Sequence, residues 1–163
     1  RALDARTIGT VRELGDRTAE DLQVERVVAT ADLDELLPET DVLVLAVPHT
    51  PLTQGLIDAR RLALLPPDAI VVNIARGNVV DEPALVDALR AGRLRGAALD
   101  VFAQEPLPAD SPLWDLPNVF VSPHSASTVA AENGRIVDLF CENIRRYLDG
   151  RPLLNLLDKE HLY

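Results

Sequence analysis

The sequence predicts an α/β protein built on a parallel sheet with helices on both of its faces. Three observations carry that expectation. Short apolar runs alternate with helical segments along the whole chain, which is the pattern of repeated βαβ units. Hydrophobic residues make up 47% of the 163 and aromatic ones only 4%, so the core must be aliphatic. The best run, "DVLVLAV" at 41–47, is nearly continuous, as expected of a strand buried on both faces rather than one.

Six strands are expected, at 6–11, 24–29, 41–47, 69–74, 96–102 and 118–122. Thr30 is placed to cap a short helix, "DLDELL", whose first turn is acidic. "LIDARRLALLP" at 56–66 reads as a helix stopped by Pro66 and Pro67. The segment 82–91 reads as a helix with Pro83 in its first turn and Gly92 as its stop. A long helix is expected over about 128–148, ended by Gly150 and Pro152. Connections between parallel strands should be right-handed.

Composition narrows the function classes. The formal charge is −10, and the basic residues form no cluster beyond pairs such as Arg60-Arg61 and Arg145-Arg146, so nucleic acid is not an expected partner. No apolar run approaches the ~18 residues of a membrane span, and the chain opens on no signal-like stretch. The single cysteine, Cys141, leaves no internal disulfide and suits a reducing compartment. A cytoplasmic location is expected, without a membrane partner. The chain contains no methionine, and Arg1 falls within what reads as a helix tail. The sequence is therefore read as a piece of a longer chain, with a processed domain as the alternative.

A parallel sheet places its functional loops at the carboxyl ends of its strands. Past 41–47 comes Pro48-His49-Thr50-Pro51. Past 69–74 comes Ala75-Arg76-Gly77. Past 96–102 comes Gln104-Glu105-Pro106, and past 118–122 comes Pro123-His124-Ser125-Ala126-Ser127. Arg76 alone reads as a solvated loop arginine. Beside Gly77, which suits close backbone approach by a ligand, it reads as a guanidinium able to grip a carboxylate through two parallel hydrogen bonds. Pro106 restricts Glu105 to extended conformations, so that carboxylate is held rather than floppy. A histidine steered by a carboxylate moves protons near neutrality, and Glu105 is expected to steer and charge His124. Each of the two alone would be an ordinary surface residue. His49 is expected beside a cofactor groove and His161 in the tail, Phe140 and Cys141 in the core, and Trp114 as a packing anchor. No metal site is expected.

Three separated motifs, "NIARG", "LDVFAQEPLP" and "NVFVSPH", agree in order and spacing with one family. By them the chain resembles the D-isomer-specific 2-hydroxyacid dehydrogenases, from about residue 1 to its end and most densely over 41–128. The resemblance implies a Rossmann-like doubly wound sheet that is incomplete on its N-terminal side. Residues 1–127 would be most of a dinucleotide-binding domain without its first strand and Gly-rich turn. Residues 128–163 would be a helix and tail returning towards a substrate domain. It implies hydride transfer between NAD(P)H and a small 2-oxo acid of the glyoxylate or hydroxypyruvate type, by a protein that is a homodimer at full length. A nucleotide-sensing corepressor is the alternative, or an inactive fragment of the enzyme; the isolated piece is expected to be inactive.

The same resemblance assigns roles. Arg76 would bind the substrate carboxylate and polarise its carbonyl, His124 would be the acid/base, and Glu105 would hydrogen-bond it. Asp100 would lie near the nicotinamide carboxamide. The backbones of Val47, Pro48, Ile74 and Ala75, and the loop Ser125-Ala126-Ser127, would line the cofactor along with Arg76 and His124. Where NAD-using relatives end a strand on an acid, Val11 stands here, followed by Arg12 and Glu13. Arg12 would accept a 2′-phosphate and Glu13 would oppose it. The cofactor is NAD or NADP, with a slight lean to NADP.

Overall fold

The computed structural model describes residues 4–159. All six expected strands form and all are parallel: β1 (Ile8–Val11), β2 (Arg26–Ala29), β3 (Val42–Leu45), β4 (Ile70–Asn73), β5 (Gly96–Leu99) and β6 (Val119–Val121). They do not make one hydrogen-bonded sheet. β1 pairs with β2, and the other four form a separate sheet in the order β3-β4-β5-β6. The expected fold class stands, with the six strands divided between two parallel sheets.

The four-stranded sheet is built on in-register pairs whose ends line up. Leu45 pairs with Asn73, Asn73 with Leu99, and Leu99 with Val121, so all four strands finish on one row. The loops that follow therefore open on a single edge.

The helices show where periodicity misleads. The segment 32–37 is broken into a 3₁₀ turn at Thr30–Asp32, α1 (Leu33–Leu36) and a second 3₁₀ turn at Leu37–Glu39. Thr30 does not cap α1. Its hydroxyl donates instead to the Val11 carbonyl at 3.1 Å, tying the two strand ends of the β1–β2 pair together. Only Ala59–Leu62 of the expected helix 56–66 is α-helical (α2). The chain before it is pulled into a parallel bridge between Ile57 and Val80, and Asp58 caps the short helix by accepting from Arg61 N–H. α3 (Glu82–Arg90) forms as expected. Asp81 accepts from Ala84 N–H, and Leu85, Val86, Ala88 and Leu89 make the buried stripe. Gly92 follows at φ +64°, the left-handed position that ends helices.

The core lies between these helices and the four-stranded sheet. Leu37, Ile57, Val71, Val79, Leu85, Leu94 and Leu113 are essentially inaccessible, each worth about 1.5–3 kcal/mol of apolar burial. The last helix, α4 (Glu132–Leu148), starts four residues later than expected and buries none of its residues. Its apolar side chains Ile136, Val137, Phe140 and Ile144 are all exposed. Phe140 is thus not core, and Cys141 is only half-buried. Trp114 is half exposed, with its indole N–H donating to the Pro108 carbonyl at 2.8 Å. His161 lies outside the described residues. Among the described residues no helix is long and apolar enough to cross a membrane.

Candidate active site

At the carboxyl edge, His124 Nδ1 lies 2.7 Å from Glu105 Oε2. The other Glu105 oxygen accepts from Phe102 N–H at 3.0 Å, so the carboxylate is tied to its own turn and to the ring. The hydrogen bond with His124 first, and that from Phe102 second, hold the Glu105 carboxyl below its ordinary value. With Nδ1 engaged, Nε2 is the ring atom left for chemistry. His124 has φ +52°, the left-handed region that side-chain-bearing residues rarely adopt. Such a conformation costs on the order of 1–3 kcal/mol and persists only where the surroundings over-determine it.

Asp100 supplies that over-determination. It is 5% exposed, and its two oxygens accept from Ser125 N–H and Ala126 N–H, each at 2.8 Å. Burial pushes this carboxyl up, and hydrogen bonds from Ser122, Ser125 and Ala126 outweigh it, so the group sits below its ordinary value. The backbone N–H groups of Ser125 and Ala126 therefore face Asp100 rather than an open groove. Ser127 is exposed.

Arg76 leaves the turn after β4 in an extended conformation, φ −148° and ψ 148°. Its side chain is exposed, and Nη1 donates to the Ala75 carbonyl at 2.6 Å. It also acts on Glu105 through its charge, the smallest of the causes acting there. Gly77 serves a purpose other than the expected approach of a ligand. A Cβ there would lie 1.9 Å from the Phe102 carbonyl carbon, so the glycine lets the Arg76 turn pack backbone to backbone against the segment leading to Glu105. That seam sets the spacing between the guanidinium and the histidine–glutamate pair. A cavity of about 620 Å³ opens beside the pair, walled by Phe102, Leu107, Trp114, Val121, Glu105 and His124 among others.

The other expected positions fall on the same edge. Val47 is half-buried and Pro48 exposed, with the Pro48 carbonyl accepting from the Thr53 hydroxyl at 2.6 Å. His49 beside it is exposed. Ile74 is 43% exposed while Ala75 is buried. Arg12 follows β1, with Glu13 at 4.0 Å. Exposed apolar surface at Ile74 and Pro48, on the strand-end edge, suits a flat ring, and Arg12 beyond β1 suits a phosphate-bearing ribose. No G-x-G-x-x-G run occurs in the sequence, so these residues fit the two ends of a dinucleotide and not its pyrophosphate.

Asn73 went unrecognised in the sequence. It is 2% exposed, and its side chain accepts from Ala75 N–H at 3.0 Å and donates to the Arg76 carbonyl at 3.1 Å. The available signal was a polar residue closing an otherwise apolar strand, "AIVVN".

A parallel sheet thus carries an arginine and a histidine–glutamate pair on its carboxyl edge, where open α/β sheets bind their ligands. Residues 1–126 match the family model for the NAD-binding domain of D-isomer-specific 2-hydroxyacid dehydrogenases. The chain belongs to that family. It is 44% identical over 131 residues to glyoxylate/hydroxypyruvate reductase B of Pectobacterium carotovorum, covering 80% of this chain and 41% of the relative. It is 46% identical over 117 residues to D-3-phosphoglycerate dehydrogenase of Mycobacterium leprae, covering 72% of this chain and 22% of the relative. The chain thus spans less than half the length of these curated relatives. The crystal structure of the NADPH-dependent glyoxylate/hydroxypyruvate reductase of Sinorhizobium meliloti, in complex with NADP and sulfate, superposes with a TM-score of 0.88. That match is 33% identical and covers 99% of this chain and 51% of the neighbour.

Proposed function

We propose that the protein reduces a small 2-oxo acid of the glyoxylate or hydroxypyruvate type to the D-2-hydroxy acid. The observation that carries this reading is the 2.7 Å contact between His124 Nδ1 and Glu105 Oε2, on the same edge as Arg76. The names of relatives such as the Pectobacterium reductase favour that substrate class.

NAD(P)H, when bound, supplies the hydride that reaches the keto carbon. Arg76 leaves the Ala75 carbonyl to bind the substrate carboxylate and polarise the adjacent ketone. His124, protonated, gives its Nε2 proton to the oxygen as the alkoxide develops. Nδ1 keeps its own proton and donates it in a hydrogen bond to Glu105, which orients the ring. Proton transfer of this kind contributes roughly 10²–10⁴-fold. Val47, Pro48, Ile74 and Ala75 would line the nicotinamide end, with Ser127 beyond the histidine. Asp100 would reach the carboxamide with the lone pairs that Ser125 and Ala126 leave free. Arg12 would meet the adenosine ribose; its positive charge, suited to a 2′-phosphate, and the NADP in the Sinorhizobium neighbour favour NADP.

In this reading residues 1–127 belong to the dinucleotide-binding part. The exposed apolar face of α4 carries residues 128–163 towards a substrate-binding part, in a cytoplasmic homodimer without nucleic-acid or membrane partners. The test is steady-state oxidation of NADH and NADPH by the complete natural chain with a panel of 2-oxo acids. Turnover on short oxo acids is expected. Cofactor binding without turnover would overturn the reading in favour of a nucleotide sensor.

A further inference from the structure

Thr50, Asn73 and Asp100 are the buried polar side chains among the described residues, and Asn73 is the most enclosed. A buried amide is tolerated only when its hydrogen bonds are made. Asparagine is also a poor strand former, so a position flanked by Val72 and Ile74 favours an apolar residue unless the amide is needed.

Its surroundings fix it from both sides. The Asn73 carbonyl accepts from Asp100 N–H at 3.0 Å, and the next residue, Ile74, donates to Leu45 at 3.1 Å. From this fixed base the side chain reaches forward over the turn, accepting from Ala75 N–H and donating to the Arg76 carbonyl. The same Arg76 carbonyl also accepts from Val79 N–H at 3.1 Å. None of these bonds holds the guanidinium, which rests on the Ala75 carbonyl. The direction in which it leaves the turn is set by the peptides that Asn73 grips.

We propose that Asn73 is a positioning residue: its buried amide holds the Ile74–Ala75 and Arg76–Gly77 peptides on either side of the Arg76 turn so that the guanidinium meets the substrate carboxylate, and it thereby sets the preference for an acid over an uncharged ester. This rests on the function proposed above. Serine at this position keeps an oxygen near Ala75 N–H but cannot donate to the Arg76 carbonyl, and alanine keeps neither contact.

The experiment compares the complete natural chain with its Asn73→Ala and Asn73→Ser variants on glyoxylate and on methyl glyoxylate, with cofactor affinity measured separately. Both variants should raise KM for the acid about tenfold or more. kcat/KM for the ester, which lacks the carboxylate but still has the carbonyl that Arg76 polarises, should fall several-fold less than kcat/KM for the acid, and cofactor affinity should stay within about twofold of the natural protein. If Asn73→Ala fails to fold, Asn73→Ser alone decides, because it retains the Ala75 contact. Equal losses on acid and ester would mean a general structural role and overturn the inference, as would no loss on either. A natural protein that turns over neither compound overturns the proposed function itself, and the inference with it.

Discussion

The four-stranded sheet and the β1–β2 pair are made of similar strands and held by different forces. In β3, β4 and β5 the side chains alternate into a continuous core, and every fully buried apolar residue among those described lies between Leu33 and Leu113. β1 and β2 bury none of their residues completely. Their two ends are held by polar ties: the Thr30 hydroxyl on Val11 at the carboxyl ends, and Glu39 bridging Arg6 at 2.9 Å and also Arg26 at the amino ends. The catalytic candidates Arg76 and Glu105 follow the well-packed strands β4 and β5, whereas His124 follows β6, which buries none of its residues completely, and is held instead by its contact with Glu105 and by the Asp100 bonds to Ser125 and Ala126. The cofactor-selecting candidate, Arg12, follows the other pair. Proton and hydride transfer demand placement within a fraction of an ångström, which packed strands provide. Discrimination of a ribose phosphate by charge tolerates a looser support.

This contrast is open to attack, beginning with stability. Leu85→Ala in α3 should lower the unfolding free energy by about 2–5 kcal/mol, since Leu85 is 1% exposed. Val28→Ala in half-buried β2 should cost less than about 1.5 kcal/mol. Chemical denaturation of the two variants checks this, and equal losses would erase the distinction between the regions. Arg76→Ala should next raise KM for the oxo acid and reduce kcat/KM by about 10- to 100-fold, the worth of a charge-assisted carboxylate contact. Steady-state kinetics would reject the clamp if both constants were unchanged. Arg12→Ala should shift preference from NADPH towards NADH by several-fold, near the ~1 kcal/mol expected of an accessible charge pair. An unaltered cofactor ratio would remove Arg12 from the site.

The smallest effect concerns pH. Arg60 first and Arg61 second, through hydrogen bonds at 2.6 and 2.7 Å, lower the Asp34 carboxyl to about 2. A folded-state value below the unfolded one contributes stability that is present above the ordinary value of 3.8 and is lost as pH falls towards about 2. Acid unfolding of Asp34→Asn should therefore lose part of its pH dependence in that window. An unchanged acid transition would mean that the pair contributes nothing.

The strands were legible because continuous runs of Val, Leu and Ile have few other fates in an α/β chain. Arg76, Glu105 and His124 were legible because each sits just past such a run, where parallel topology brings loops together. What escaped was decided by contacts distant in sequence. "LIDARRLALLP" has helical composition, yet the bridge from Ile57 to Val80 takes its first turn. Thr30 carries a capping side chain, yet the Val11 carbonyl claims it. Gly77 signalled a close approach without saying that the visitor is the Phe102 backbone. Phe140 and Cys141 have core-like chemistry on a helix that meets no core here. Asn73, and the grip of Asp100 on Ser125 and Ala126 N–H, escaped for a related reason: their value lies in main-chain groups, which carry no side-chain signature.

The central claim is that Glu105 steers His124 for proton donation. The most direct measurement is kcat/KM for oxo-acid reduction by the natural protein and by Glu105→Ala, with cofactor affinity measured beside it. Loss of the carboxylate frees the ring from the 2.7 Å contact, so kcat/KM should fall about tenfold or more while cofactor affinity is kept. An unchanged kcat/KM would contradict the account.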